Sequence, residues 1–140
     1  MNYLVSRMLV ERNDLNAAES LISKNLEIVR RERLKKREGS FLRVLGEVVL
    51  RRGETDAARS RFEEAIEILK AVGNPRKLWE AHASLASAFD HMGRHSEARD
   101  QWCAAAEVLN RLAKNLSDRE LRTGFLEAKP IREILAKAER

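Results

Sequence analysis

From Leu45 to Leu69 the chain reads LGEVVLRRGETDAARSRFEEAIEIL, two apolar-periodic segments broken once, at Gly53. Ala58, Phe62 and Ala65 recur at the three- and four-residue steps of a single helix face, so the stretch predicts a helical hairpin. The pattern returns on both sides of it. ERNDLNAAES at 11–20, RRGETDAARS at 51–60 and HMGRHSEARD at 91–100 align at an offset of 40. Asn13, Gly53 and Gly93 share one position, Ala18, Ala58 and Ala98 a second, and Ile22, Phe62 and Trp102 a third. A fixed period of this size predicts an all-α solenoid, built by stacking one supersecondary unit on copies of itself.

Each position has a physical reason. Gly53 and Gly93 end the first helix of a pair, where a left-handed residue reverses the chain without a Cβ clash, and Asn13 is the next best residue for that conformation. The alanines are small because the helices of a hairpin cross closely there. Ile22, Phe62 and Trp102 are large because they fill the space between neighbouring hairpins.

The same pattern sets the expected helices. A remnant helix covers 2–12, and Asp14 caps a long helix from 15 to about 33. The register asks for a turn near Leu34, but RRERLKKRE contains no glycine or proline, which leaves a continuous helix open as the alternative. Helices are expected over 35–52 and 55–72, with Thr55 as a cap, then over 75–92, opened by Pro75 at its first position, and over 95–114. Beyond that the repeat stops. Ser117 and Glu120 have capping-box spacing, and Pro130 ends or kinks the helix that follows. Two short helices are therefore expected to cover the last repeat, with Leu121, Phe125, Leu126, Ile131, Ile134 and Leu135 facing inward. The chain divides on this reading into a truncated repeat over 1–34, repeats over 35–73 and 74–114, and a C-terminal cap over 115–140, all in a single domain.

These residues resemble the tetratricopeptide repeat. Leu42, Leu45-Gly46, Val49, Gly53, Ala58, Phe62 and Ala65 take that family's consensus places in the middle repeat, and His82, Leu85-Ala86, Phe89, Gly93, Ala98, Trp102 and Ala105 take them in the last. The first repeat, with Val5, Ser6, Leu9, Asn13, Ala18, Ile22 and Asn25, matches less well, and Met1 falls inside its first helix. The resemblance implies a right-handed superhelical solenoid that acts in protein–protein interaction. Its 40-residue unit is longer than the family's usual one and is similar to the C-terminal helical arrays of bacterial signalling ATPases and MalT-like regulators.

Composition narrows the field further. Aromatics make up 5% of the chain and charged residues 35%, which favours charge-laced helices over a β-sandwich. No apolar run approaches the roughly 20 residues of a membrane span, and the first residues carry no export signal, so a cytoplasmic location is expected. Cys103 is the sole cysteine, so no internal disulfide is expected, and the residue reads as a small buried hydrophobe. No phosphate loop, nucleophile elbow or HExxH is present, and neither enzymatic activity nor a cofactor is expected. His91 and His95 have the spacing of a metal pair, but Gly93 interrupts the helix and no second ligand cluster exists. His82 reads as a packed core histidine.

What remains is surface. In the resembled family the first helices of successive pairs line a groove. The register places Tyr3, Arg7 and Glu11 there from the first copy, Ser40, Arg43, Glu47 and Arg51 from the middle one, and Glu80, Ala83, Ser84, Ser87, Asp90 and His91 from the last. A peptide or partner protein is the expected ligand. The net charge of +5 raises a nucleic-acid alternative through the basic run Arg30, Arg31, Arg33, Lys35, Lys36 and Arg37, supplemented by Arg43, Arg51 and Arg52, although it lacks interleaved aromatics for stacking bases. Tyr3, Leu4, Leu9 and Ile22 are expected to leave an apolar face uncovered, which predicts self-association or further repeats upstream.

Overall fold

A computed structural model describes residues 3–139, all of whose regular elements are α-helices. The chain divides after Gly73 into two compact units. The first holds α1 (Tyr3–Glu11), α2 (Leu15–Arg31), α3 (Lys35–Arg51) and α4 (Thr55–Val72). The second holds α5 (Pro75–His91), α6 (His95–Lys114), α7 (Arg119–Glu127) and α8 (Lys129–Glu139).

The turns follow from one backbone device. Asn13, Arg33, Gly53, Gly73 and Gly93 all have positive φ, each 20 residues after the one before. At four of them the chain closes a Schellman turn. The amides of Asp14, Leu34, Glu54 and Arg94 donate to the carbonyls of Leu9, Val29, Val49 and Phe89 at 2.8, 2.8, 3.0 and 2.8 Å. The same four residues then start the next helix, their carbonyls accepting from Ala18, Glu38, Ala58 and Ala98. One residue thus ends one helix and begins its successor. The turn near Leu34, unmarked in sequence, is real, and Arg33 takes its left-handed place at φ 58°.

This device changes the expected caps. Asp14 stands at the N-cap of α2 but makes no side-chain bond there, and Glu54 rather than Thr55 holds that position before α4. Ser117 is not the cap of α7. Asp118 is, its carboxylate accepting from the Leu121 amide at 3.0 Å, because its side chain sits three residues before an orphan N–H. The helix ahead of Pro130 does end, at Glu127, and Pro130 is itself the second residue of α8, where its missing N–H would have no partner anyway.

In the first unit Val10, Ala18, Ile22, Leu26, Val29, Phe41, Leu42, Val44, Val48 and Ala65 form a continuous buried cluster. The α3–α4 pair closes tightly through two glycines. A Cβ on Gly46 would stand 2.5 Å from Phe62 Cε1, and one on Gly39 would stand 2.7 Å from Leu69 Cγ, so both large side chains lie directly on the backbone of α3. Ile22, expected at an open face, is fully buried instead.

In the second unit α5 packs along α6, and α8 covers α6 more extensively than α7 does. Ala81, Leu85, Ala98, Trp102, Ala105 and Leu109 are buried between these helices, together with Ile131 and Ile134 from α8. The inward set expected after the last repeat is narrower than its periodicity suggests. Phe125, Leu126 and Leu135 are half-buried, and Leu121 is 64% exposed because α7 is short and buries no residue.

Candidate functional site

Of the residues placed on the candidate groove, seven belong to the first unit. Tyr3 sets its ring edge-on to Phe41, with centroids 5.7 Å apart, and its hydroxyl accepts from Arg43 Nη2 at 2.8 Å. Arg43 is buried and also donates to Glu47 Oε1 at 2.8 Å. Arg51 donates to the carbonyl of Val10 at 2.7 Å, satisfying a carbonyl in the last turn of α1. Ser40 is buried as well, while Arg7 and Glu11 are exposed. The two arginines therefore tie α1 to α3, and the exposed polar residues of this face are Arg7, Glu11 and Arg51, the last with its guanidinium engaged by Val10.

Beside them lies a feature the groove register did not include. Leu4, Val5 and Met8 on α1 are 71%, 47% and 49% exposed, and the spacing Leu4–Met8 and Val5–Met8 puts them on one stripe. The sequence hinted at this patch through Leu4 but assigned Leu9 and Ile22 to it, and these are half-buried and buried.

The other six groove residues belong to α5. Ser87 and His91 are exposed, and Glu80, Ala83, Ser84 and Asp90 are half-buried. Asp90 is not an open group. Its Oδ2 accepts from Trp102 Nε1 at 3.0 Å, and its Oδ1 lies 2.9 Å from His95 Nδ1. The hydrogen bond from His95 and then that from Trp102 hold its carboxyl below the usual value, against an opposing contribution from burial. His95 is thus tied to Asp90 rather than to His91. His82 is buried, with Nδ1 2.7 Å from Gln101 Oε1. Cys103, expected inside, is exposed: it lies on the outer face of α6, with Sγ 3.5 Å from the Ala138 carbonyl.

Asp90, His95, Ser96, Arg99, Trp102 and Lys137 line a cleft of about 530 Å³, the Lys137 ammonium sitting 4.5 Å from the centre of the Trp102 ring. Sequence reasoning assigned Trp102 wholly to the core and passed over Arg99 and Lys137. The offset of 40 carried a usable signal, since it sets Asp90 against Leu50, a polar residue in an apolar place.

Half of the basic run is paired where it stands. Arg30 pairs with Glu38 and Glu64, Arg31 with Glu27, Lys35 with Glu38, and Arg52 with Glu19. Among the described residues only Arg33, Lys36 and Arg37 of the run 30–37 have no such partner. Ion pairs of this kind mark a solvated helix face. No group of three or more His, Cys, Asp or Glu among the described residues could hold a metal ion, and no described helix is long and apolar enough to cross a membrane.

Antiparallel helical hairpins, with a left-handed residue in the turn, an alanine at the crossing and a large side chain four residues on, define a helical-repeat protein. A family model of the tetratricopeptide repeat matches residues 38–111, just over half of the 140 residues. The chain belongs to the tetratricopeptide-repeat family. Repeats of this family mediate protein–protein interaction and are non-catalytic modules. The fold is similar to that in the crystal structure of the TPR domain of Arabidopsis FLU, with a TM-score of 0.70 and 16% identity over 78% of this chain and 92% of that one. No curated protein matches the chain.

Proposed function

We propose that the chain is an interaction module that receives a helix or extended peptide of a partner protein along α1, with the groove residues Tyr3, Arg7, Glu11, Arg43, Glu47 and Arg51 framing that surface. One observation carries this reading: the contiguous apolar stripe of Leu4, Val5 and Met8, bordered by the exposed charges Arg7 and Glu11. An apolar strip with a charged rim suits the apolar face of an amphipathic segment. Arg43 and Arg51 serve it indirectly, by fixing α1 against α3. Ser40 is buried and Ser84, Ser87, Glu80, Asp90 and His91 lie on α5, where they form a separate polar surface for the same class of ligand. A second copy of the chain is an alternative occupant of the stripe. The 40-residue unit further supports a place among the long-unit arrays of cytoplasmic bacterial regulators.

The test is capture of native partners on the immobilised chain, followed by titration of the identified partner against Leu4→Glu and Met8→Glu. Both side chains are exposed, so the variants should melt like the parent while losing about tenfold or more in affinity. Affinity unchanged in both variants refutes the reading. Light scattering on the same proteins separates self-association, which predicts a dimer that Met8→Glu dissociates.

A further inference from the structure

We propose that the cleft on α6 and α8 is an oxyanion subsite, which takes the carboxylate or phosphate of an acidic side chain presented by a protein partner. It rests on the interaction reading for the source of its ligand, and on its own residues for the chemistry.

The charge of the cleft is best seen against the same positions one repeat earlier. In the first unit Arg59 lies 3.6 Å from Glu63, one helical turn on, and Asp56 stands in the first turn of α4. At the offset of 40 the arginine persists as Arg99, but Glu63 becomes Cys103 and Asp56 becomes Ser96. The carboxylate that paired with the arginine is gone and the cation stays, while Asp90 enters the lining in the place of Leu50. Lys137 of α8 then adds a second cation to the same cleft. Among the described residues neither Arg99 nor Lys137 forms an ion pair or a hydrogen bond.

The one carboxylate in the cleft, Asp90, lies within the field of Lys137 and offsets one of the two positive charges, but it makes no ion pair with either cation. Both oxygens of Asp90 are engaged, by the indole N–H of Trp102 and by His95. A carboxylate can only accept, so His95 carries a proton on Nδ1 and directs it to Asp90 rather than to a ligand. Lys137 is held by its contact with the Trp102 face, which positions the ammonium while leaving its N–H donors for a ligand. Arg99 supplies a planar fork suited to a carboxylate or phosphate, and the Ser96 hydroxyl supplies a neutral donor. His95 and Ser96 also open a 20-residue helix, whose N-terminal end favours negative charge. A cleft of about 530 Å³ has room for an acidic side chain with its flanking backbone.

The experiment follows the Trp102 indole N–H by ¹H–¹⁵N spectroscopy of the full chain, with Trp79→Phe to leave a single indole signal. The probes are N-acetyl-phosphoserine amide, N-acetyl-glutamate amide and inorganic phosphate, titrated at constant ionic strength. A saturable shift is expected with one or both amides. It should weaken about tenfold or more in Arg99→Gln and in Lys137→Gln, be retained in Lys137→Arg, and be unaffected by Lys36→Gln. Tighter binding of the phosphoserine amide assigns the site to phosphorylated side chains, and equal or tighter binding of the glutamate amide assigns it to carboxylates. The proposal is overturned by three non-saturating titrations, by affinity in Arg99→Gln and Lys137→Gln equal to that of the parent, or by binding of inorganic phosphate alone. A partner that is lost with Leu4→Glu while no amide binds removes the cleft and leaves the interaction reading. Amide binding in a chain that captures no partner does the reverse.

Discussion

Replacing Gly46 by alanine adds a single methyl at the tightest point of the α3–α4 pair. That carbon would stand 2.5, 2.7 and 2.9 Å from Cε1, Cδ1 and Cζ of Phe62, against about 3.5–4.0 Å for an unstrained carbon contact. Phe62 is fully buried, so its ring has nowhere to retreat. Overpacking of this kind costs about 1–3 kcal/mol. Alanine in a helix interior gains about 1 kcal/mol over glycine, so the net effect in the parent is a loss of up to about 2 kcal/mol. Phe62→Leu removes Cε1 and Cζ, two of the three carbons the methyl meets, and its shorter side chain can turn the third away, so in that background the propensity gain of about 1 kcal/mol dominates. The sign of Gly46→Ala should therefore reverse between the two backgrounds. Urea melts of the four proteins measure the coupling, expected at about 1–3 kcal/mol. An effect of Gly46→Ala that agrees in the two backgrounds within about 0.5 kcal/mol, or a stabilised parent, refutes the packing described for this pair.

Two further outcomes are expected. Arg33 holds a left-handed conformation that costs a side-chain-bearing residue about 1–2 kcal/mol, partly offset by the flexibility glycine adds to the unfolded chain, so Arg33→Gly should raise stability by up to about 1 kcal/mol in thermal melts; a lower Tm refutes the turn. Asp90 has its carboxyl held below the ordinary value of 3.8, so its contribution to stability is fully present above that value and is lost as pH falls through the folded-state value. Asp90→Asn should accordingly differ most from the parent near neutrality and converge with it in acid, and a stability gap that stays constant across urea melts from about pH 6 to about pH 3 refutes this.

Helix positions were legible in the chain because apolar spacing and left-handed turn residues report on the same geometry. Gly53 and Gly93 mark their turns by chemistry, whereas Arg33 adopts the same φ with no such mark, and only the register demanded a turn there. The half-repeat of 20 residues was hidden for that reason: two of its five left-handed positions carry Asn13 and Arg33 instead of glycine. Caps were misread for two reasons: before α4 the backbone already closes the turn through Schellman bonds and leaves little for the Thr55 hydroxyl to do, whereas before α7 a side chain does cap the helix but it is Asp118, one residue beyond Ser117. The exposed position of Cys103 was illegible because small apolar residues occur on either side of a helix and only packing decides. Surface chemistry was the least legible part. Arg43 and Arg51 read as groove cations by register, but an arginine that can reach a tyrosine hydroxyl or a free carbonyl is used within the fold, and no sequence pattern signals that reach.

One register position shows how this family can keep a core pattern and change what it exposes. Phe62 rests on bare backbone at Gly46 and is wholly buried. At the corresponding place in the second unit Ala86 fills the seat that Gly46 leaves open, and the residue above it is a tryptophan. An indole cannot be buried like a phenyl ring, because its N–H needs an acceptor. That acceptor is Asp90, in the place of Leu50, and the carboxylate so introduced in turn holds His95 at the mouth of the cleft. Three changes at core-pattern positions thus turn a sealed aromatic into one wall of a polar cleft, with the hairpin backbone unaltered in its turn and its alanine crossing. The repeat signature consequently identifies the fold in both units alike, whereas the chemistry available to a partner lies in the departures from it.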